Sequence, residues 1–167
     1  MLVAIDTAYS DTSSATGGVI FESWESTEPV DILVSKLLNK PKPYQSGEFY
    51  KRELPCILYL LNKITHPLEY ILIDANVFLD GTKKPGLGKH LFDALDQKTD
   101  IIGIAKNRYH LMPQKHAVIR GESKHPLYVT TTSNNLTSVK NHIALMAGDF
   151  RIPSMLKLAD KISKDAL

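Results

Sequence analysis

The chain has 167 residues, of which 43% are hydrophobic and 23% charged; this is typical of a single folded domain over residues 1–167 and excludes a disordered chain. No apolar run approaches the ~20 residues that cross a bilayer, and the opening MLVAID lacks the basic flank of a secretory signal, so we expect a cytoplasmic protein without a membrane partner. The net charge of +2 is unevenly distributed: residues 1–80 carry 11 acidic and 6 basic side chains, whereas residues 81–167 carry 7 and 14. This asymmetry is consistent with a site for metal and phosphate together, or with solvated surface charge alone.

The first half of the chain predicts strands followed by a helix. Three β-rich segments separated by short turns, LVAIDTAY, ATGGVIFES and VDILVSK, predict an antiparallel meander. A Pro-containing surface loop then leads into EFYKRELPCILYLLNKI, whose apolar spacing predicts a helix that Pro55 either kinks or effectively starts.

The second half alternates strands and helices. The short apolar runs YILID and IIGIAK predict strands buried on both faces. The remaining segments predict a helix, a hairpin and two further helices, in the order LGKHLFDALDQ, HAVIRG with PLYVTTT, LTSVKNHIALMAG and SMLKLADKIS. This order predicts an α/β protein whose mixed sheet has three antiparallel strands and then parallel strands, flanked by helices.

Carboxylates follow two of the predicted strands. Asp6 ends the apolar part of the first strand, and Asp74 ends YILID. If these strands are neighbours, both carboxylates lie at the edge where mixed sheets commonly bind ligands, and Glu53 on the first helix is a plausible third donor. Converging carboxylates repel one another until a hard divalent cation such as Mg²⁺ or Mn²⁺ relieves the cost. The alternative is that both aspartates only cap turns.

Four stretches in order resemble the endonuclease V repair nucleases. AIDTAY resembles the first strand of that family, with its catalytic Asp and a Tyr three positions on, and PYQSGEFYKRELP resembles the segment between its Pro-Tyr wedge motif and its Phe-Arg-Glu motif. ILIDAN, PGLGKHL and IIGIAK together resemble its central segment, and RGESKHPLYVTTTSNNLTS with RIPSMLKLAD resembles its closing portion. The resemblance spans nearly the whole chain and implies a ribonuclease H-like fold.

The resemblance also implies the roles of individual side chains at the reacting phosphate. Asp6, Glu53 and Asp74 match the metal-binding carboxylates, and Glu53 is preferred over Glu48 because it keeps the family's distance from the wedge tyrosine. Lys106 matches a lysine close to the phosphate, although a solvated lysine is the alternative. Asp160 stands where the family often has a histidine near the metal, and it is a fourth candidate ligand.

The implied reaction is hydrolysis of a phosphodiester bond 3′ to a deaminated purine, inosine, in DNA or RNA, and the family cuts one nucleotide beyond the inosine. Tyr44 would act as the wedge that stacks where the base was, and Gly47 and Gly86 match glycines near the flipped base. A loop anchor for Tyr44, and a turn role for either glycine, are the alternatives. No obligate protein partner is evident.

Departures from the family pattern concern base recognition more than metal binding. The family's Asp-Gly-x-Gly is replaced by residues 74–77, Asp-Ala-Asn-Val, and a histidine six positions after the catalytic Asp is replaced by Asp80. Nuclease activity is therefore expected more firmly than inosine specificity. The competing hypothesis is a ribonuclease H-like nucleic-acid-binding protein that is non-catalytic or has relaxed specificity. A third hypothesis is a nucleotide-binding ATPase of the actin and sugar-kinase type. Such proteins need two domains and roughly twice this length, which counts heavily against this hypothesis.

Overall fold

The computed structural model describes residues 1–38, 43, 45 and 48–167. In these ranges a seven-stranded sheet has the order β3-β2-β1-β4-β5-β7-β6 and is flanked by four α-helices. The strands are β1 (Leu2–Tyr9), β2 (Ser14–Phe21), β3 (Asp31–Leu37), β4 (Tyr70–Ile73), β5 (Asp100–Ala105), β6 (Ala117–Val118) and β7 (Leu127–Thr131). The helices are α1 (Tyr50–Leu61), α2 (Leu87–Ala94), α3 (Leu136–Leu145) and α4 (Ser154–Asp165), with a short 3₁₀ turn at Gln114–His116.

The predicted mixed sheet is confirmed. β1, β2 and β3 form the antiparallel meander, β4 pairs parallel with both β1 and β5, and β7 pairs antiparallel with β5 and β6. Helix α1 begins at Tyr50 and runs through Pro55, so the proline does not mark its start. Pro55 has no N–H for the carbonyl four residues earlier, and the helix continues because its apolar face is buried against the sheet.

Side-chain alternation along the central strands builds two cores. Leu2 and Ala4 of β1 pack on the layer of α3 and α4, whereas Val3 and Ile5 pack on the layer of α1 and α2. Leu72 of β4 likewise faces the first layer, and its neighbours in the strand face the second. The continuous apolar runs in the sequence therefore reflect strands that are covered on both faces. Among the described residues, none of the helices has the length and apolar character that a membrane span requires.

His116 is a buried side chain, only 2% exposed, at the end of the 3₁₀ turn that precedes the edge strand β6. Its Nδ1–H donates to the Val129 carbonyl at 2.7 Å, and Nε2 is buried against Gly81 without a hydrogen-bond partner among the described residues. Protonation would place a charged N–H in this apolar contact. Burial therefore lowers the pKa of His116, with the nearby charges of Lys115 and Lys140 acting in the same direction.

The fold should consequently lose stability on acidification through His116. A depressed histidine pKa means that the unfolded chain takes up the proton first, so this contribution is present above the ordinary pKa near 6.5 and is lost as pH falls below it. We expect His116→Gln to reduce the drop in urea midpoint between about pH 7.5 and about pH 5. The exposed His125→Gln is the matched control, and an unchanged drop in the His116 variant would contradict the assignment.

Candidate active site

Two carboxylates meet at the carboxyl ends of β1 and β4. These strands are parallel, and Ile5 is in register with Ile73, so Asp6 and Asp74 occupy adjacent positions one residue further along. Neighbouring strands lie about 4.8 Å apart, which brings the two acidic side chains to one point. The structure therefore brings together the pair that the sequence predicted from strand-end positions.

Glu53 enters the same point from the helix layer. It lies in the first turns of α1 and is 7% exposed, an unusual burial for a glutamate. Glu48, five residues earlier, lies outside this cluster and forms a surface ion pair with Lys51, Oε2 to Nζ 2.8 Å. The family spacing and the structure thus agree on which glutamate faces the strand ends.

The electrostatics of Glu53 show how unfavourable this arrangement is for free carboxylates. The pKa of Glu53 is raised from 4.5 to about 8, chiefly by burial and in addition by the charges of Asp6 and Asp74, while the guanidinium of Arg52 acts against them. Burial is also the largest cause that raises the pKa of Asp6, from 3.8 to about 6. Each carboxylate therefore gains from a positive charge placed among them.

Lys106 supplies one such charge. It follows the end of β5, next to β4, and its Nζ lies 2.5 Å from Oδ2 of Asp74. Burial works to lower the pKa of Lys106, but the hydrogen bond and charge of Asp74, with the charges of Asp160 and Asp6, raise it overall. The ammonium group is consequently held at the carboxylates and kept protonated.

Helix α4 adds two polar residues on the other face of the sheet. Ser163 donates its hydroxyl to Oδ2 of Asp6 at 2.9 Å, which lowers the pKa of that aspartate. Asp160 lies near enough for its charge to act on Asp6, and its Oδ2 is 2.8 Å from Nζ of Lys164. Gly17, the register partner of Asp6, permits this approach, because a Cβ there would lie 2.9 Å from the Ala159 carbonyl oxygen.

The cluster has the chemistry of a hard-cation site but is not arranged as one. Its donors are the four predicted carboxylates, Asp6, Glu53, Asp74 and Asp160, and oxygen donors of this kind suit Mg²⁺ or Mn²⁺. Among the described residues, however, no group of three or more His, Cys, Asp or Glu side chains is arranged to hold a metal ion. Contacts of Asp74 with Lys106 and of Asp6 with Ser163 occupy oxygens that a cation would use.

Two cavities open on either side of the carboxylates, and both include Asp74 and Lys106 in their walls. The α4-side pocket, of about 280 Å³, also contains Asp6, Asp160 and the segment before α4. The α2-side pocket, of about 570 Å³, is lined further by residues of α1, of the loop after β4 and of the start of α2. The strand ends therefore face two separate spaces.

The residues after β4 that depart from the family pattern have different environments in the structure. Ala75 and Asn76 line the α2-side pocket, whereas Val77 is fully buried in the core and its N–H donates to Oγ1 of Thr130 at 2.8 Å. Asp80 accepts the backbone N–H groups of residues 82–84, which lowers its pKa to about 2, so it acts as a loop cap. Only the change at Ala75 replaces a glycine within the pocket wall.

Gly86 lines the α2-side pocket, and its expected position near a flipped base stays a prediction. It precedes α2, and a Cβ there would lie 2.5 Å from the Asn76 carbonyl oxygen. A glycine is therefore required at this position, because the loop after β4 packs closely against the start of α2. Tyr44 and Gly47 lie outside the described residues, so their expected roles stay predictions.

Several residues at the site escaped sequence reasoning. Ser163 reaches Asp6 only because α4 packs on the meander, and no spacing rule connects positions so far apart. The rings of Tyr50 and His90 stack with centroids 3.7 Å apart, which joins α1 to α2 beside the pocket. Both residues lie in segments that resemble the family, but the sequence did not predict that their rings are in contact. Phe150, on the α4 side, had no signal beyond its place before Arg151.

Comparisons with known proteins agree with this architecture. The endonuclease V of Ciona intestinalis, solved with a 24-nucleotide DNA containing an inosine followed by a ribo-adenosine, superposes with a TM-score of 0.78 at 18% identity, covering 99% of this chain and 84% of that one. Endonuclease V of Bacillus subtilis gives a TM-score of 0.77 at 20% identity, with 99% and 78% covered, and that of Streptomyces avermitilis gives 0.75 at 20%, with 99% and 80% covered. At these identities the likeness establishes the ribonuclease H-like fold. No curated protein sequence matches the chain significantly.

A sequence-family model adds what the superpositions alone do not. The model of endonuclease V matches residues 1–141, which include β1, α1, β4 and β5 with Asp6, Glu53, Asp74 and Lys106. Most of the chain and all but one of the predicted site carboxylates fall within this match. The chain therefore belongs to the endonuclease V family of nucleases.

Proposed function

We propose that the chain is a metal-dependent endonuclease that hydrolyses a phosphodiester bond 3′ to inosine in DNA or RNA, in nucleic-acid repair. The observation that carries the proposal is the convergence of Asp6, Asp74 and the buried Glu53 where β1 and β4 end, with Lys106 bound to Asp74. Membership in the endonuclease V family supports the reaction class, and the inosine-containing DNA bound by the Ciona intestinalis relative supports the substrate.

The carboxylates that would have to close around the cation, since the structure does not arrange them around one, are Asp6, Glu53, Asp74 and Asp160. Their oxygen donors suit Mg²⁺, with Mn²⁺ as an alternative, and the raised pKa values of Asp6 and Glu53 mean that a cation would relieve an existing cost. When bound, such an ion makes hydroxide available near neutral pH and offsets charge on the phosphate and the leaving oxygen.

Lys106 would act on the phosphate itself. Its protonated Nζ now lies on Asp74, and a phosphate oxygen entering the site presents a second acceptor to the same ammonium group. A positive charge held in a partly dry site stabilises the charge that builds on the phosphate during attack. Hydrolysis then adds the water's hydroxyl to phosphorus and its proton to the departing 3′ oxygen, without an enzyme-bound intermediate.

The α2-side pocket is the space available for a flipped base. It opens beside Asp74, and Gly86 and Asn76 bring backbone groups to its wall. Tyr44 would stack in the gap left by the base, as the wedge motif implies. Ala75, where the family has glycine, lies in the wall of this pocket and also packs against the apolar core between the sheet and the layer of α1 and α2.

The replacement of a family glycine by Ala75 in this pocket wall favours a second candidate function: a nucleic-acid-binding protein of the same fold that has relaxed base specificity or does not cut. The two functions differ in their products. A labelled panel of DNA and RNA strands, single and double, with inosine or adenosine at one position, separates them when Mg²⁺ is compared with EDTA. We expect cutting only with the metal and preferentially at inosine; equal cutting at adenosine supports relaxed specificity, and no cutting of any strand contradicts the enzyme proposal.

The carboxylate pair gives the sharpest mutational prediction. We expect Asp74→Asn and Asp6→Asn each to abolish cutting of an inosine strand, a loss of at least about 10³-fold, because an amide cannot replace a carboxylate at a divalent cation. The exposed Asp11→Asn, in the turn after β1, is the matched control and should cut at the wild-type rate. Circular dichroism verifies the folds, and a full rate in Asp74→Asn would contradict the mechanism.

The wedge assignment predicts a binding effect. Tyr44→Ala should weaken binding of an inosine duplex by roughly 5- to 150-fold, the range expected for one lost stacking contact, and should leave binding of an unmodified duplex nearly unchanged. Fluorescence anisotropy with catalytically inactive Asp74→Asn as the background measures both. Equal weakening on the two duplexes would show that Tyr44 only anchors its loop.

Buried Glu53 predicts a trade between stability and activity. Because its pKa is raised from 4.5 to about 8, the folded chain holds this proton more tightly than the unfolded chain, and stability falls as pH rises through that window. In EDTA, Glu53→Gln should therefore melt higher than wild type at about pH 8.5, by about 2–4 °C for each kcal/mol relieved, and the gain should shrink at about pH 5. It should also lose activity.

The control for this prediction is Glu48→Gln, an exposed glutamate in the same segment. It should show no gain that grows with pH. Calorimetry with and without Mg²⁺ completes the test, since the ion should raise the wild-type melting temperature more than that of Glu53→Gln. A Glu53 variant that melts lower at every pH would show that the glutamate is satisfied as it stands.

A further inference from the structure

The catalytic carboxylates lie between two cavities on opposite faces of the sheet. Ile104 and Ala105 follow one another on β5 and so point to opposite faces; Ile104 lines the α4-side pocket and Ala105 the α2-side pocket. Lys106 and Asp74 belong to both. A phosphate held at these two residues would therefore have a strand leading away on each side, and the flipped base, one nucleotide further along on the 5′ side, accounts for only one of the cavities.

The α4-side pocket has an exposed aromatic ring at its wall. Phe150 is 72% exposed, an unfavourable position for a large apolar side chain, and Nζ of Lys157 lies 5.6 Å from its ring centroid. Arg151 lines the same pocket. An uncovered ring with basic side chains around it is the combination that binds a nucleotide, since the ring stacks on a base while the cations attract phosphate.

A buried guanidinium holds the backbone that carries this ring. Arg120 is 4% exposed and donates to the backbone carbonyls of the loop that carries Phe150, including that of Phe150 itself at 2.6 Å. Its other acceptors are the carbonyls of Met146, Gly148 and Arg151. Burying a charge to fix an exposed loop is costly unless its hydrogen bonds are made, and here they fix the position of Phe150.

The same loop is tied directly to the catalytic lysine. The guanidinium of Arg151 donates to the carbonyl of Lys106 and to that of Pro126, 3.0 Å away. Phe150 and Lys106 are thus parts of one hydrogen-bonded unit. The backbone that carries the ring is therefore tied to the backbone of the lysine that would hold the phosphate.

We propose that the α4-side pocket is the subsite for the nucleotide on the 3′ side of the cut bond, and that Phe150 stacks on its base. The proposal rests on the proposed function, which places the flipped base on the 5′ side. Lys157 lies beside the ring and faces the backbone phosphate that follows. Protein docking fits less well, because Phe150 is the one large apolar side chain of this pocket that is strongly exposed within the described part of the chain.

The test compares two strands with inosine, one with a normal base and one with an abasic residue immediately 3′ of the cut. With Mg²⁺ present, removal of that base should lower kcat/KM of the wild type by roughly 5- to 150-fold. Phe150→Ala should show the same loss on the normal strand and little further loss on the abasic one. Phe150→Trp should keep the wild-type rate, and Phe150→Leu, which is apolar but not aromatic, should behave like Phe150→Ala.

Tyr59→Ala is the matched control, since Tyr59 is an exposed aromatic residue of α1 that lines neither pocket. It should cut both strands as the wild type does. The subsite is refuted if Phe150→Ala cuts the normal strand at the wild-type rate, or if its loss is undiminished on the abasic strand. If the wild type cuts no inosine strand, the proposed function fails first and the subsite with it.

Discussion

Repulsion among buried carboxylates is the constraint around which this structure is organised. Asp6 and Asp74 lie side by side because β1 and β4 are parallel and in register, and Glu53 faces them from α1. Burial and mutual charge raise the pKa of Asp6 to about 6 and that of Glu53 to about 8. A fold that served stability alone would place apolar side chains there, so the cluster is a cost that its environment must offset.

The repulsion among the carboxylates is offset by residues of several neighbouring elements. Lys106 contributes an ammonium group from the end of β5, and Ser163 contributes a hydroxyl from α4. Gly17 on β2 lets α4 approach closely enough for this contact. The meander, the parallel strands and the last helix therefore have distinct parts in holding one site, and a cation would complete the compensation that the lysine begins.

The division of the sheet into two covered faces also divides the site. One face offers the α2-side pocket, in which Ala75 replaces a family glycine, and the other offers the α4-side pocket with Phe150 at its wall. In the function proposed above, reaction chemistry and base choice would therefore depend on different parts of the chain. A substitution around Ala75 would then alter which base is accepted while the carboxylates stay where the strand register places them.

The sequence by itself determined the strands, the helices and the family, because these depend on local periodicity and on motifs whose residues are close in the chain. The resemblance to that family also favoured Glu53 over Glu48, because Glu53 keeps the family's distance from the wedge tyrosine. Tertiary structure decided the contacts of Ser163 with Asp6 and of Arg120 with the loop of Phe150, since each joins elements that meet only after the sheet has formed. It also decided the raised pKa values, because burial and the approach of distant charges exist only in the folded chain.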